Sequence, residues 1–173
     1  INDLFFAMSH GVHRGTLKDG KFDKRSLIIN NIIKMNSNIK FDLHGIHGKQ
    51  PIWADDFKLK LSQNKMALNL SQGKSIKYYS SDRIAQLIGN GILTFVDIKT
   101  KLNKFFTSKE VVFYNSLNDL SKKIDFYNNN PKLRNQIAKK GKKKYLKYFN
   151  STKVAEFIID KTMNFNSKKK YWE

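Results

Sequence analysis

The sequence predicts an α/β fold: a doubly wound, Rossmann-like parallel sheet of about five strands with a helical C-terminal end. Three observations predict it. Short apolar runs rich in β-branched and aromatic residues alternate with stretches whose apolar residues recur at helical spacing. Loops rich in Gly, Ser and basic residues follow several of these runs. Beyond Tyr114 the pattern is helical only. Strands that alternate with helices are joined by crossovers, so they lie parallel with helices on both faces.

Taken in order, Leu4 to Met8 (LFFAM) is a first buried strand, and His10 to Asp23 is a loop rich in Gly and basic residues. Lys24 to Met35 is helical, with Leu27, Ile28, Ile32 and Ile33 apolar. Ile39 to Leu43 is a second strand, Gly45 to Pro51 a second Gly-containing loop, and a short helix follows Trp53 around Asp55 to Leu61. Met66 to Leu70 (MALNL) is a third strand, and Ser71 to Ser75 leads to Tyr78–Asp97, the stretch around which the chain is organised. There Ser80, Ser81 and Asp82 are N-cap residue types, and Ile84, Leu87 and Ile88 recur at helical spacing. Gly89 and Gly91 end that helix, and Ile92 to Val96 is a buried fourth strand. Lys99 to Phe106 is a short helix or a structured loop.

Glu110 to Tyr114 (EVVFY) is a fifth strand. Ser116 opens a helix to about Tyr127, with Asp119 as the acidic residue of a capping box. Pro131 suits the first turn of the next helix, which runs towards Asn150. Ser151 or Thr152 caps a last helix through Ile159. The expected domain spans residues 1–163, and 164–173 form a polar, basic tail.

A chain of 173 residues fits one domain with a real core, and 40% hydrophobic residues set it apart from disordered chains. The absence of Cys excludes disulfides, thiolate metal sites and a Cys nucleophile, and fits a reducing compartment. No apolar run approaches a membrane span and no signal peptide opens the chain, so the expectation is a cytoplasmic protein, with peripheral membrane contact as a variant. The first residue is Ile, which reads as a fragment or a processed piece. A formal net charge of +19 implies an anionic partner: nucleic acid, a phosphorylated small molecule, or an anionic membrane or polysaccharide surface. The compositional alternative is a bias towards Lys, Asn, Ile and Phe that leaves most Lys on solvated faces.

In a doubly wound sheet, ligands bind beyond the carboxyl ends of the strands. Those ends carry His10–Asp23, His44–Trp53, Ser71–Asp82 and Asp97–Lys101. A helix N-terminus with free N–H groups, preceded by Ser hydroxyls and carrying Arg83, suits an anion such as a diphosphate. The alternative is an ordinary capped helix.

The pattern Arg83-Ile-Ala-Gln86-Leu-Ile-Gly-Asn-Gly91-Ile-Leu-Thr resembles the donor-binding segment of group 1 glycosyltransferases with the GT-B fold. That family usually reads Arg-x-x-Glu-Ala-x-x-x-Gly-x-Pro-Val. Asn130-Pro131-Lys132-Leu133-Arg134 and Ile137-Ala138-Lys139-Lys140-Gly141 resemble its late helices, and Tyr145, Tyr148 and Phe149 its aromatic-rich end. The resemblance is firm from Met66 to Ile159, looser from Leu4 to Leu61, and strongest to the spore maturation-type branch. It implies a strand order of 3-2-1-4-5 and the C-terminal, donor-binding half of an enzyme whose acceptor half lies in an N-terminal domain. The partner it implies is a nucleotide-diphosphate sugar. The glycan, lipid or protein acceptor stays open, nucleic acid is disfavoured, and no metal or other cofactor is expected. One departure matters: Gln86 stands where retaining members often carry Glu, which keeps hydrogen bonding but removes the charge and the base.

The expected donor site follows. Ser80, Ser81 and the amides of Asp82 and Arg83 come first for the diphosphate, and Arg14, Lys24 and Arg25 second; a solvated face is the competing reading of Arg25, and Tyr79 is a further donor-binding candidate. His44 and Gly45 end the second strand, where the resemblance implies the nucleobase, and Trp53 either stacks on the base or anchors the core. His10 and Gln86 are the expected catalytic groups near the sugar. His10, His13, His44 and His47 also form two His-x-x-His pairs, a weaker zinc reading. The run Lys139–Lys144 is read as a solvated face, with an anionic surface as the next reading.

Overall fold

The computed structural model describes residues 1–9, 23–71 and 75–165. Its elements are β1 (Asn2–Ala7), α1 (Lys24–Met35), β2 (Phe41–His44), α2 (Ala54–Ser62), β3 (Asn64–Asn69), α3 (Asp82–Asn90), β4 (Leu93–Asp97), β5 (Val112–Tyr114), α4 (Leu117–Asn129), α5 (Pro131–Tyr148) and α6 (Ser151–Thr162). The expected helix or loop at Lys99–Phe106 is two 3₁₀ turns, Ile98–Thr100 and Leu102–Lys104. All strand pairs are parallel. The fold is thus the doubly wound α/β sheet that the alternation of elements implied, with a helical C-terminal end.

The order of strands differs from the expected 3-2-1-4-5: it is β2-β1-β3-β4-β5. Side-chain chemistry explains the difference. β3 is central, and its Met66, Ala67 and Leu68 are fully enclosed between β1 and β4. A strand enclosed on both faces and both edges favours apolar residues, and Met66, Ala67 and Leu68 supply them, with Asn69 the buried polar exception. β2 is short and carries Asp42 and His44, residues that an edge strand tolerates. This order moves the reversal of winding, and with it the crevice between strand ends, from β1/β4 to β1/β3.

Alternation along β1 separates two layers. Leu4, Phe6 and Met8 face α1, α4 and α5 through Ile29, Ile32, Leu120, Ile124 and Ile137. Phe5 and Ala7 face the other way, towards Leu61 of α2 and Leu87 of α3. The first half of α5 joins the first layer, and its last turns pack with α3: Ile84 and Ile88 cluster with Phe106, Tyr145 and Phe149. Gly141 makes this seam possible. A Cβ there would lie 2.3 Å from the Glu110 carbonyl oxygen, so only Gly fits.

The helix ends follow local chemistry. Asp23 caps α1 by accepting from the Arg25 amide at 2.9 Å, and Ser116 caps α4 by accepting from the Asp119 amide at 3.1 Å. The Asp119 carboxylate reaches back to the Asn115 amide, one residue before the cap. α6 is capped by Asn150, whose Oδ1 accepts from the Lys153 amide at 2.9 Å, and not by Ser151 or Thr152. Asn is among the strongest N-cap types, so it wins the position one residue earlier.

Candidate nucleotide site at the strand crevice

A cavity of about 870 Å³ opens at the carboxyl ends of β1 and β3. Its floor is Ala7, Met8 and Ser9 after β1, and Ser71 after β3. Ser81, Asp82, Arg83 and Gln86 from the start of α3 line one side. Arg25 of α1 and Ile52, Trp53, Ala54, Phe57 and Lys58 at the start of α2 contribute too, and Ile76 and Tyr79 stand in the approach to α3. Three helix starts therefore contribute to one crevice, each presenting the positive end of its dipole.

The start of α3 is polar and incompletely used. Ser81 is the N-cap residue, with extended backbone (φ −74°, ψ 160°), yet its hydroxyl makes no capping bond. The amides of Ile84 and Ala85 turn back to the Ser81 carbonyl at 3.0 and 3.4 Å. The first helical amides, of Asp82 and Arg83, are donors that no helix can satisfy from within.

Two guanidiniums sit behind these donors in different electrostatic states. Arg25 is 6% exposed and held by Asp23, which is 1% exposed. Its Nε donates to the Asp23 carboxylate at 2.9 Å and its Nη2 at 2.5 Å. The Arg25 charge is thus matched by a buried carboxylate in bidentate geometry. Arg83 has no carboxylate bonded to it among the described residues. Its Nη1 donates to the Leu70 carbonyl, and its guanidinium lies 5.7 Å from the centre of the Phe6 ring. Burial, and next the nearby Arg25 charge, push the Arg83 pKa down to about 10. It stays charged at neutral pH, in a place that disfavours the charge. An anion in the cavity would relieve that penalty.

Trp53 is 64% exposed at the cavity edge, so it is no core anchor. Tyr79 is half exposed on the opposite approach. Between them the rim offers two flat aromatic surfaces to a base or a sugar face.

Seven of the expected residues therefore come together: Arg25, Trp53, Tyr79, Ser81, Asp82, Arg83 and Gln86. Three others do not line the cavity. Ser80 is exposed beside it. His44 sits at the end of edge strand β2, its Nε2 2.9 Å from Asp42 Oδ1, and Asp42 in turn accepts from Asn64 at 2.8 Å. Gly45 has a packing role: its φ is +72°, and a Cβ would lie 1.7 Å from the Met8 carbonyl oxygen. Gly there lets the loop after β2 cross the end of β1. His47 pairs with Asn30 Oδ1 at 2.7 Å. His10, His13 and Arg14 lie outside the described residues.

Reasoning from the sequence did not pick out Ser9 or Phe57, and it reached Ser71 and Ile76 only as part of the Ser71–Asp82 strand end. The signal for Ser9 and Ser71 was present, since each directly follows a strand that flanks the reversal of winding. Asp97, at the carboxyl end of β4, accepts from the Ser75 hydroxyl and from the Lys99 amide, both at 2.9 Å, and does not line the cavity.

Comparison with known proteins agrees with this architecture. The crystal structure of TarM is similar with a TM-score of 0.62 at 14% identity. The match takes in 96% of this chain and 35% of that one, so this chain spans about a third of TarM's length. No curated protein sequence matches it. The model of a family described as glycosyl transferase-like matches residues 24–160, which hold every element from α1 to nearly the end of α6. The chain belongs to the glycosyl transferase-like family.

Proposed function

We propose that this domain binds the nucleotide-diphosphate sugar of a glycosyl transfer in the β1/β3 cavity. The acceptor is then held by chain beyond these 173 residues, as the share of TarM covered allows. The observation that carries the reading is the electrostatics at the start of α3. A charged, partly buried Arg83, Asp82 at the first turn of α3, and Ser81, whose hydroxyl makes no capping bond, line one cavity. A diphosphate is the donor component that such an arrangement stabilises.

The roles follow from position. The α3 amides, Ser81 and Arg83 hold the diphosphate, with Arg25 behind them. Transfer breaks the bond from the sugar's anomeric carbon to the diphosphate, and negative charge grows on the leaving oxygen. Preorganised donors at the helix start and the guanidiniums stabilise that charge without a metal ion. Gln86, one turn along α3, hydrogen-bonds ribose or sugar hydroxyls as a neutral group. Trp53 and Tyr79 take the base or the sugar face. The family resemblance adds His10 for the sugar and Arg14 for the diphosphate. Kinship with the spore maturation-type branch and a cytoplasmic location belong to the same proposal.

Calorimetric titration with UDP, GDP, uridine and guanosine tests this reading. One diphosphate should bind at least tenfold more tightly than its nucleoside, about the worth of one charge-assisted hydrogen bond. Equal affinities would remove the diphosphate from the cavity.

A further inference from the structure

The start of α1 holds more than a helix cap needs. Asp23 has extended backbone (φ −75°, ψ 105°), its carboxylate accepts from the Arg25 amide at 2.9 Å, and its carbonyl accepts from the Ser26 amide at 3.1 Å. Ser or Asn would cap the helix about as well without a charge. Asp23 and Arg25 instead form a buried ion pair, 1% and 6% exposed. Such a pair costs the desolvation of both ions, and apolar residues of similar volume often serve a fold as well. The cap explains one bond of Asp23 and leaves the charge of the pair unexplained.

The place of the pair supplies a reason. Arg25 lines the β1/β3 cavity together with Arg83. Two guanidiniums in one crevice repel each other. The Arg25 charge is the second cause, after burial, of the lowered Arg83 pKa, and the Asp23 charge is among those that oppose it. Asp23 thus offsets part of the repulsion. It also fixes a side chain that would otherwise be free to turn. The Arg25 Nε donates to both Asp23 oxygens, at 3.0 and 2.9 Å, and Nη2 donates to Oδ2 at 2.5 Å. These bonds engage one edge of the guanidinium and leave Nη1 with no hydrogen bond among the described residues. A planar guanidinium held along one edge keeps its other N–H donors in fixed directions.

We infer that Asp23 is a positioning residue for the diphosphate: it holds the Arg25 guanidinium so that Nη1 is the group Arg25 offers to the ligand. The inference rests on the diphosphate reading of the cavity. Asp23 does not itself line the cavity, and its carboxylate would repel an anion, so its benefit runs through Arg25. The freedom of the Arg25 side chain is lost on folding and is not lost again on binding. Donors fixed in advance also need no reorganisation as charge grows on the leaving diphosphate.

Calorimetry of the 173-residue chain with UDP, GDP and their nucleosides tests this role. The variants are Asp23→Asn, Arg25→Gln, Arg25→Lys, and Asp23→Asn combined with Arg25→Gln. Asn keeps the cap and removes the charge. Asp23→Asn should bind the diphosphate roughly tenfold more weakly, the size of one charge-assisted hydrogen bond, and the nucleoside within about twofold of the wild type. Arg25→Lys keeps the cation but not the planar fork, and should lose nearly as much as Arg25→Gln. The double variant should bind no more weakly than Arg25→Gln alone, because Asp23 then has nothing to position. Asp23→Asn that binds the diphosphate as tightly as the wild type or more tightly, an equal loss against the nucleoside, or a further loss in the double variant would overturn the inference. So would Arg25→Lys with wild-type affinity. That variant keeps a cation beside the buried carboxylate, so it decides the matter even where Asp23→Asn does not fold. A wild type that binds neither diphosphate removes the diphosphate reading and this role with it. A wild type that binds, together with any of the contrary variant results, removes the role alone.

Discussion

The two ends of the nine-residue helix α3 have opposite characters. At its C-terminal end every feature is matched within the protein. Gly91 takes the left-handed conformation (φ +77°), and its amide closes on the last carbonyls of the helix. Ile88 packs where Gly141 lets α5 approach, Gly89 meets the Tyr145 ring, and Lys142 lies over Gly91. At its N-terminal end the Ser81 hydroxyl caps nothing, the first amides have no partner within the helix, and Arg83 holds a charge that burial disfavours. One short sequence pattern thus combines two kinds of residue. Gly91 serves packing, whereas the proposed function gives Arg83 and Gln86 to a ligand. Destabilising features that persist in a fold mark where function operates.

The comparison can be broken at either end. The largest effect on stability is expected at the seam. Gly141→Ala forces a Cβ to within 2.3 Å of a backbone oxygen, and overpacking of this kind costs about 1–3 kcal/mol. Denaturant melts should show that loss, while nucleotide affinity of the folded protein stays the same. An unchanged melt would mean that α5 is not seated as described. Next comes acid. Burial alone would raise the Glu110 pKa, but bonds from the Thr107 amide, from Lys144 and from the Thr107 hydroxyl outweigh it and hold it below the usual value. Asp3 behaves likewise through Lys65 and the Lys40 amide, and Asp119 through Lys123 and the Asn115 amide. A carboxylate depressed in the folded state stabilises it above the unfolded pKa, and that contribution disappears as pH falls through the folded value. Stability should therefore be flat from neutrality to about pH 5 and fall below about pH 4. Glu110→Gln should make that fall shallower. The smallest effect is expected at the rim: Trp53→Ala should leave the melt within about 0.5 kcal/mol and weaken nucleotide binding by roughly three- to tenfold.

How much of this was legible in the sequence differs between these two ends as well. The fold was legible because periodicity and caps are local: Pro131, Ser116 and Gly91 do what their residue types favour. The strand order was not, because it depends on which strand is enclosed at both edges; Asp42 and His44 in β2 were the available clue. The polar start of α3 and exposed Trp53 could be picked out by residue type. Gly45 could not be assigned correctly, since a Gly in a loop looks the same whether it approaches a base or the Met8 carbonyl. The outward face of α6 was hidden for a related reason: Val154 and Ile158 recur at helical spacing, and only the packed structure shows that they are exposed.

The most direct test of the account is calorimetry of Arg83→Ala against a nucleoside diphosphate and its nucleoside. Arg83 bears on the diphosphate alone, so its loss should weaken diphosphate binding by roughly ten- to a hundredfold and leave nucleoside binding within about twofold. The variant should also melt within about 1 kcal/mol of the wild type, because removing a partly buried charge with no carboxylate partner among the described residues offsets the lost bond to Leu70. An equal loss against both ligands, or an Arg83→Ala protein that does not fold, would contradict the account and make the start of α3 as structural as its end.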